Sequence, residues 1–207
     1  MKKKREGFKE QKLIVLNQNL RRQILEDELC RQLYFTDIGY FPKADNHYVF
    51  RQHGCSEYVI IFCFSGKGWC EFDGQRYEIS SGEYFILPPG KMHSYGSADS
   101  VCWEKGWIHF SGELAEAFVS RINKKAYGQA VPFKLRRGWV AHFNKMIEHL
   151  SLDLSFENVS YNCYQLWTAM GGLVHANVNR NLRGRRNNME NVLKYMYENV
   201  KTVISLE

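Results

Sequence analysis

Apolar residues recur with two different periods along the chain, and the change of period divides it into two parts. Between Leu33 and Phe110, short apolar runs follow one another at roughly ten-residue spacing. This spacing is typical of the strands of a β-sandwich or β-barrel. After Gly112 the apolar residues recur every three or four positions, which indicates helices. The pattern therefore predicts a mainly β domain followed by an α-helical region.

Strands are predicted at four places in the first part. Residues 57–66, EYVIIFCFSG, form a short apolar run rich in aromatic and β-branched residues, which indicates a buried strand. Residues 69–80 alternate around Asp73-Gly74, a pair that tolerates positive φ and therefore predicts a β-hairpin. Residues 83–90 end in prolines that cannot donate ladder hydrogen bonds, and residues 103–110 form a further strand.

Amphipathic helical patterns lie on both sides of the β region. In the segment 9–30, apolar residues at helical steps predict a helix or arm: Leu13, Leu16, Leu20 and Ile24. Three helices are predicted after Gly112, within residues 113–126, 136–152 and 157–178. Their expected core positions are, in order, Leu114, Phe118 and Ile122; Val140, Phe143, Ile147 and Leu150; and Tyr161, Leu166, Met170 and Val174.

Composition limits the class of protein. The chain has 207 residues, of which 44% are hydrophobic, enough for one domain of ordinary size with a core. The formal net charge of +6 is compatible with a polyanionic partner without requiring one. The N-terminal apolar run Leu13–Leu16 is too short for a secretory signal, and no run approaches the roughly 20 residues that span a bilayer. We therefore expect a cytoplasmic protein with no membrane partner.

The last thirty or so residues contain an arginine-rich segment followed by a helical pattern. Residues 179–188 carry four arginines and no acidic residue, which is typical of a solvated linker. Three of these side chains are candidates for sequence-independent contacts with DNA phosphates, namely Arg183, Arg185 and Arg186. Beyond them, Met189, Val192, Leu193, Met196 and Val200 share one helical face. Ser205 is a favourable N-cap, so we expect the polypeptide to continue after residue 207.

Residues 82–93 read Gly-x5-Pro-x-Gly-x2-His, which resembles the second half of a metal-cupin signature. The resemblance implies that His93 would join an upstream His-x-His pair and a glutamate around a metal ion. The chain has His47, His53 and Glu57 upstream, but no His-x-His spacing. Alternation places strand residues i and i+2 on one face, and the six-residue gap between His47 and His53 is a long reach for one site. We expect no metal and no other cofactor.

A second resemblance covers more of the chain. Residues 50–112 resemble the N-terminal regulatory domain of AraC-type transcription regulators. The matching elements occur in order: Arg51 with Gly54, the apolar strand after Tyr58, Ser-Gly-Lys-Gly at 65–68, the Asp-Gly hairpin, GEYFILPPGKMHSY at 82–95, and Trp-Ile-His-Phe at 107–110. The predicted helices fit the family in order and length. Residues 191–207 resemble the first helix of its DNA-binding domain and the start of the second.

The resemblance implies a mainly β fold with α-helices, in which a cupin (double-stranded β-helix or jelly-roll) barrel precedes a helical dimerisation region. We accordingly expect an N-terminal arm (1–32), an effector-binding barrel (33–112), a dimerisation region (113–178), an Arg-rich linker (179–188) and the beginning of a truncated helix-turn-helix domain (189–207). A homodimer would sense a sugar or related small molecule without catalysis. Operator DNA would be a partner of the full-length protein only, because no recognition helix is left here.

The same family places three residues around a bound sugar: an Arg on an early strand, a Tyr after the Pro-Gly-His turn and a Trp on a late strand. The matching positions here are Arg51, Tyr95 and Trp107. A guanidinium offers a fork of donors, an indole can stack on a pyranose ring, and a phenol donates or accepts. His93 and Lys105 are further ligand-binding candidates, since one lies in the same motif and the other two residues before Trp107.

Other interpretations stay open at this point. Arg51 can pair with a surface carboxylate, Tyr95 can pack on the barrel rim, and Trp107 can belong to the core. The alternative function is a metal-dependent cupin enzyme, an isomerase or dioxygenase, which needs at least three metal ligands. A carbohydrate-binding or structural barrel is the third interpretation. The Arg-rich segment and the helix-turn-helix-like tail argue against it, because a finished binding module needs neither.

Overall fold

The structure, a computed structural model, describes the backbone of residues 3–98, 102–122, 130–133 and 136–199, and their side chains except at 136–137, 177–188 and 197–199. The elements in chain order are β1 (Lys12–Val15), α1 (Gln18–Glu26), a 3-10 turn (Cys30–Gln32), β2 (Tyr34–Phe41), β3 (Tyr48–Arg51), β4 (Tyr58–Ser65), β5 (Lys67–Phe72), β6 (Gln75–Ser80), β7 (Glu83–Leu87), β8 (His93–Ser97), β9 (Glu104–Ser111), α2 (Ala115–Ile122), β10 (Val131–Pro132), α3 (Arg136–Leu152) and α4 (Phe156–Asn199).

Within the described residues the strands form two antiparallel sheets. The larger sheet has the order β1-β2-β9-β4-β7-β10, and the smaller has the order β3-β8-β5-β6. Two facing sheets with long crossovers between them are the arrangement of a jelly roll, the architecture of cupins. The predicted class, mainly β with helices after the barrel, is confirmed, with two packed sheets in place of a closed barrel.

The larger sheet is covered on both faces, which explains the continuous apolar run of β4. On one face, Ile60 and Phe62 pack with residues of α3 and α4 in one core cluster. On the other face, Val59 and Ile61 pack against the smaller sheet in a second cluster. A strand buried on both sides has no need of polar alternation. The cavity described below lies on the inter-sheet side.

The hairpin between β5 and β6 is confirmed. Asp73 and Gly74 adopt φ values of 53° and 72°, the left-handed region that a two-residue hairpin turn requires. The register places Phe72 opposite Gln75 at the turn. The Asp-Gly pair was therefore a reliable local signal.

The helix predicted within residues 9–30 is shorter than expected. Lys12–Val15 form strand β1, which pairs with β2 at the edge of the larger sheet, so Leu13 lies on a strand. Helix α1 begins only after Asn17, whose side chain accepts a hydrogen bond from the Leu20 backbone N–H at 2.9 Å. Leu20 and Ile24 are buried, as the helical spacing predicted.

The three later helices form where the sequence predicts them, with some differences in the buried face. In α3, Phe143, Ile147 and Leu150 are buried as expected. In α2 the buried residues are Ala115, Val119 and Ile122, so the predicted stripe through Leu114 and Phe118 is off by one position. In α4, Leu166 and Met170 are buried, whereas Tyr161 is 39% exposed.

Helix α4 is longer than the sequence predicted. It continues without interruption through residues 179–188, where two helices joined by a linker were expected. The side chains of Arg183, Arg185 and Arg186 lie outside the described residues. Beyond them the side chains of Met189, Val192, Leu193 and Met196 are exposed. Among the described residues, the helix therefore presents an exposed apolar face here.

Among the described residues, no helix combines the length and the apolar character needed to cross a bilayer.

Candidate functional site

A cavity of about 240 Å³ lies between the two sheets. Four of the residues predicted from the sequence line it: Arg51 at the end of β3, Tyr95 on β8, and Lys105 and Trp107 on β9. Lys105 and Trp107 are two residues apart on one strand, so they face the same side. The walls therefore combine residues from both sheets. We call this space the inter-sheet cavity.

Arg51 and Tyr95 form a hydrogen-bonded pair on the smaller sheet. Arg51 Nη1 donates to Tyr95 Oη at 3.1 Å, across the paired strands β3 and β8. Burial acts against the charge of Arg51, but Tyr95, Cys55 and Asp37 together raise the arginine's pKa. Burial also raises the pKa of Tyr95, so its phenol stays protonated. The cavity thus holds a fixed positive fork of donors beside a neutral hydroxyl.

Trp107 is held in place by the backbone of the neighbouring strand. Its ring lies over Gly39 of β2, where an added Cβ would come within 2.1 Å of the indole. The indole packs edge-on against Phe41, with ring centroids 4.6 Å apart. Its Nε1 donates to Asp37 Oδ1 at 3.4 Å. The indole is 7% exposed and forms part of the cavity wall.

Lys105 is fully buried in a cage of aromatic rings, with 1% of its surface exposed. Its Nζ lies 4.3 Å from the ring centroid of Trp107 and 4.9 Å from that of Tyr95. Phe41 and Trp103 supply two further rings, each 5.2 Å away. Burial, followed by the charge of Arg51, lowers the pKa of Lys105 well below its ordinary value.

Asp37 is a cavity residue that the sequence analysis missed. It lies between Trp107 and His109, with its Oδ2 3.3 Å from His109 Nδ1. Burial raises the pKa of Asp37 to about 6 and lowers that of His109 to about 3, so near neutral pH the contact joins a carboxylate to an uncharged imidazole. One acid within the apolar stretch 34–41 was the available signal, because carboxylates are rarely buried without a role.

His93 is not among the residues that line the cavity. Its Nδ1 lies 2.9 Å from the Lys91 backbone oxygen, and its ring stacks behind Tyr95 with centroids 6.1 Å apart. The side chain is 1% exposed. His93 therefore supports Tyr95 from behind, without reaching the cavity wall.

The N-terminal segment covers one side of the cavity. Four of its residues contribute to the wall: Arg5, Glu6, Leu13 and Val15. Phe8 holds this segment down, with its ring 4.9 Å from Phe41 and 5.6 Å from His47. Backbone hydrogen bonds also join Lys4 to Asn46 and Tyr48. The residues before β1 are mostly polar, so the sequence did not indicate that this segment contacts the cavity.

The histidines considered as metal ligands do not come together. His47 lies in the cavity wall with its pKa lowered by burial, and His53 is exposed. Within the described residues, the cluster able to hold a metal is Cys55, Glu57 and His109, whose ligand atoms lie within 4.8 Å of one another. Sulfur, carboxylate and imidazole together suit zinc or a similar divalent ion. Cys55 and His109 were not identified from the sequence.

Comparisons with known proteins agree with this architecture. A sequence profile described as the AraC-like ligand binding domain matches residues 38–158, more than half of the chain. The chain is 33% identical over 91 residues to the MmsAB operon regulatory protein of Pseudomonas aeruginosa, covering 42% of this chain and 29% of that protein. It is 31% identical over 87 residues to the Msm operon regulatory protein of Streptococcus mutans, covering 41% and 31%.

The arabinose operon regulatory protein of Salmonella typhimurium is 27% identical over 77 residues, covering 35% of this chain and 27% of that protein. The chain thus spans less than a third of each curated relative. Among solved structures, the AraC-like transcriptional activator CuxR matches with a TM-score of 0.45 and 16% identity, over 69% of this chain and 51% of that one. The profile match assigns the family because it covers more than half of the chain. The chain belongs to the AraC-like ligand binding domain family.

Proposed function

We propose that this chain is the effector-sensing part of a DNA-binding transcription regulator, and that its effector, a sugar or related small polar molecule, binds in the inter-sheet cavity. The observation that carries the proposal is the convergence of Arg51, Tyr95 and Trp107, from three strands, on one cavity of about 240 Å³. The volume lies just below the range typical of drug-sized ligands and suits a molecule of the size of a single sugar ring. The protein performs no catalysis.

The chemistry of the wall supports a polyhydroxylated ligand. The Arg51 guanidinium presents several donors, the Tyr95 hydroxyl donates or accepts, and the Asp37 carboxylate accepts from ligand hydroxyls. The Trp107 indole supplies an apolar face for a ring to stack on. A site with fixed donors, acceptors and one aromatic face orients a sugar while burying most of its surface.

The N-terminal segment is the natural transmitter of ligand binding. Because Arg5 and Glu6 contribute to the cavity wall, a ligand changes the contacts that hold this segment. The mechanism is a population shift between arm positions, driven by unequal affinity of the ligand for them. Limited proteolysis should show slower cleavage between Lys3 and Lys12 when the effector is present. Equal cleavage rates with and without it would exclude the arm as transmitter.

The helices after the barrel serve dimerisation in this proposal, and the intact protein binds operator DNA in the cytoplasm. Exposed apolar side chains on and between α3 and α4 support a helical interface, among them Leu152 and Tyr164, which are 85% and 40% exposed. Arg183, Arg185 and Arg186 would add phosphate contacts in the full-length regulator. Sedimentation equilibrium should give twice the chain mass of 24.4 kDa; a monomer at every concentration would contradict the dimer.

A thermal-shift screen over sugars and small acids tests the sensing function. A true effector should raise the melting temperature in a concentration-dependent way, because ligand bound to the folded state stabilises it by mass action. The shift should disappear in Arg51→Ala and Trp107→Ala. Arg76→Ala is the matched control, since Arg76 is exposed and lies over Trp69, outside the cavity. A shift that survives both cavity substitutions would contradict the proposed site.

The second candidate, a metal-dependent enzyme, is favoured by one observation only, the group formed by Cys55, Glu57 and His109. Elemental analysis of the purified protein separates it from the sensor. One transition-metal ion per chain, lost in both Cys55→Ser and His109→Ala, would favour the enzyme. A metal content well below one per chain, unchanged by these substitutions, would favour the sensor.

A further inference from the structure

Lys105 is a buried basic group without an acidic partner. Within the part of the chain that the structure describes, its Nζ makes no hydrogen bond and no ion pair. The faces of Trp107 and Tyr95 attract a cation through their quadrupoles, at 4.3 Å and 4.9 Å. Aromatic rings offer no negative charge, however, and an ammonium removed from water without one is costly. This lysine forms part of the cavity wall, so a ligand can reach it.

The basic side chains of the inter-sheet cavity outnumber the acidic ones. Three basic side chains line it, Arg5, Arg51 and Lys105, against two acidic ones, Glu6 and Asp37. Arg51 and Asp37 act on each other electrostatically, and Arg5 and Glu6 are neighbours in the N-terminal segment. Lys105 is therefore the basic group without an acidic partner, and a negative charge from outside the chain would stabilise its protonated form.

We propose that the effector carries one carboxylate beside its hydroxyl groups, and that this carboxylate binds at Lys105 while the amine takes up a proton. The inference rests on the sensing function proposed above and narrows its ligand to a hydroxylated monocarboxylic acid, such as a uronic or aldonic acid. In the uptake step a neutral amine, a carboxylate and a proton from solvent give an ammonium–carboxylate pair. No other bond forms or breaks.

The coupling to a proton follows from burial. Because burial lowers the pKa of Lys105, the amine of the free protein loses its proton at a lower pH than a solvated lysine does. A carboxylate at ion-pair distance acts in the opposite direction, since an opposite charge favours the charged form. Ligand binding and protonation of Lys105 therefore strengthen each other.

A single carboxylate fits better than a phosphate. A phosphate monoester brings about 1.5 to 2 negative charges at neutral pH, more than the one positive charge that a protonated Lys105 supplies. The surplus would lie in the same small cavity as Asp37, whose carboxyl is ionised above a pKa of about 6. Charge balance and the volume of about 240 Å³ together favour a compact monoanion.

Other titratable or charged groups surround Lys105 on the neighbouring elements: Asp37 on β2, His47 before β3, Arg51 on β3, Cys70 on β5, Tyr95 on β8, and Arg5 and Glu6 before β1. Burial raises the pKa values of Cys70 and Tyr95 and lowers that of His47, so these three stay uncharged near neutral pH. Asp37, with its pKa of about 6, is the other group able to take up a proton, so its contribution is measured separately.

Pairs of acidic and uncharged ligands of similar structure test whether the effector carries a carboxylate. The probes are glucuronate with glucose, galacturonate with galactose, and gluconate with sorbitol, compared by thermal shift and calorimetry at constant ionic strength. The strongest ligand should be an acid that binds at least about tenfold more tightly than its uncharged partner. Lys105→Met keeps the length of the side chain and removes its charge, so the preference should disappear. Lys67→Met, at an exposed position of β5, is the control.

Calorimetry in two buffers of different ionisation enthalpy measures how many protons the protein takes up when the ligand binds. Above neutral pH, binding to the wild type and to Asp37→Asn should take up to one proton from the buffer, and Lys105→Met should take none. Between the pKa of Lys105 in the free protein and its higher value in the complex, Kd should rise by up to about tenfold per pH unit. Proton uptake and the pH dependence of Kd can be measured with the wild type and Asp37→Asn alone, so the test remains possible if Lys105→Met fails to fold.

The outcomes distinguish a failure of the carboxylate inference from a failure of the proposed sensing function. An uncharged probe that binds as tightly as its acid would overturn the carboxylate and leave a sensor of neutral ligands. An acid preference that persists in Lys105→Met, or binding without proton uptake, would overturn the pairing of the carboxylate with a proton-accepting Lys105. Failure of every probe and of the wider screen to stabilise the protein would overturn the sensing function, and this inference with it.

Discussion

At the scale of single residues, two glycines on strands make room for tryptophan rings from distant parts of the chain. A Cβ at Gly39 would come within 2.1 Å of Trp107, and one at Gly68 within 2.4 Å of Trp103. Both indoles therefore lie against a glycine backbone, where the side chain of any other residue would overlap the ring. These glycines are separated from their tryptophans by dozens of positions, so no local pattern reveals the pairing.

Gly39→Ala should displace the Trp107 ring and impair ligand binding. The added methyl overlaps the indole, and overpacking of this kind destabilises a fold by about 1–3 kcal/mol. The ligand-induced thermal shift should fall along with the melting temperature. Gly171→Ala is the control, because nothing lies within 4 Å of a Cβ there. In the interior of α4 it should stabilise the protein by up to about 1 kcal/mol. Normal ligand binding by Gly39→Ala would show that the position of the indole is unimportant.

Asp37 should make the stability of the protein depend on pH. Burial raises its pKa from 3.8 to about 6, so the folded state holds the proton more tightly than the unfolded chain does. The free energy of unfolding is therefore greatest below pH 3.8 and falls as the pH rises through the folded-state pKa of about 6. Between about pH 4 and about pH 8, the wild type should lose about 2 kcal/mol relative to Asp37→Asn.

Urea denaturation of both chains at the two pH values measures this difference. His109, with its pKa lowered to about 3, opposes folding in acid, but it is present in both chains and largely cancels in the comparison. Parallel stability curves for the two proteins would mean that Asp37 is solvated and ionises normally.

At the scale of elements, local signals were reliable where one residue pair or one face determined the structure. The Asp73-Gly74 hairpin needs only positive φ at two positions, and the α3 stripe needs only burial at helical spacing. The segment around Leu13 shows the limit. Its spacing to Leu16 and Leu20 fits a helix, but pairing with β2 makes Lys12–Val15 a strand. Tertiary hydrogen bonding outweighed a weak local preference.

Helix α1 should depend on its buried face for stability. Ile24 is completely buried in the cluster shared with α3 and α4, whereas Leu25 is 55% exposed. Ile24→Ala should therefore lower the free energy of unfolding by about 3 kcal/mol. Leu25→Ala, the adjacent control, should change it by less than about 0.5 kcal/mol. Chemical denaturation measures both, and equal small effects would mean that α1 does not pack against the core.

At the scale of the whole molecule, the fold class and four cavity residues were accessible from the sequence, but the cavity itself was not. The strand pattern predicted a mainly β domain. The family resemblance carried by the ordered motifs predicted a cupin barrel and pointed to Arg51, Tyr95, Lys105 and Trp107. Asp37 and the N-terminal segment join these residues only through the pairing of β1, β2 and β9. The lack of an acidic partner for Lys105 likewise becomes visible only when all of the surrounding strands are in place.

A crystal structure grown with the strongest ligand of the thermal-shift screen would locate the effector in the domain. Our interpretation predicts ligand density between the sheets, with polar atoms at hydrogen-bonding distance from Arg51 and a carboxylate at Lys105. The Trp107 indole should lie against the ligand. Density elsewhere, such as the groove between α3 and α4 lined by Trp139 and His142, with the inter-sheet cavity free of ligand, would contradict it.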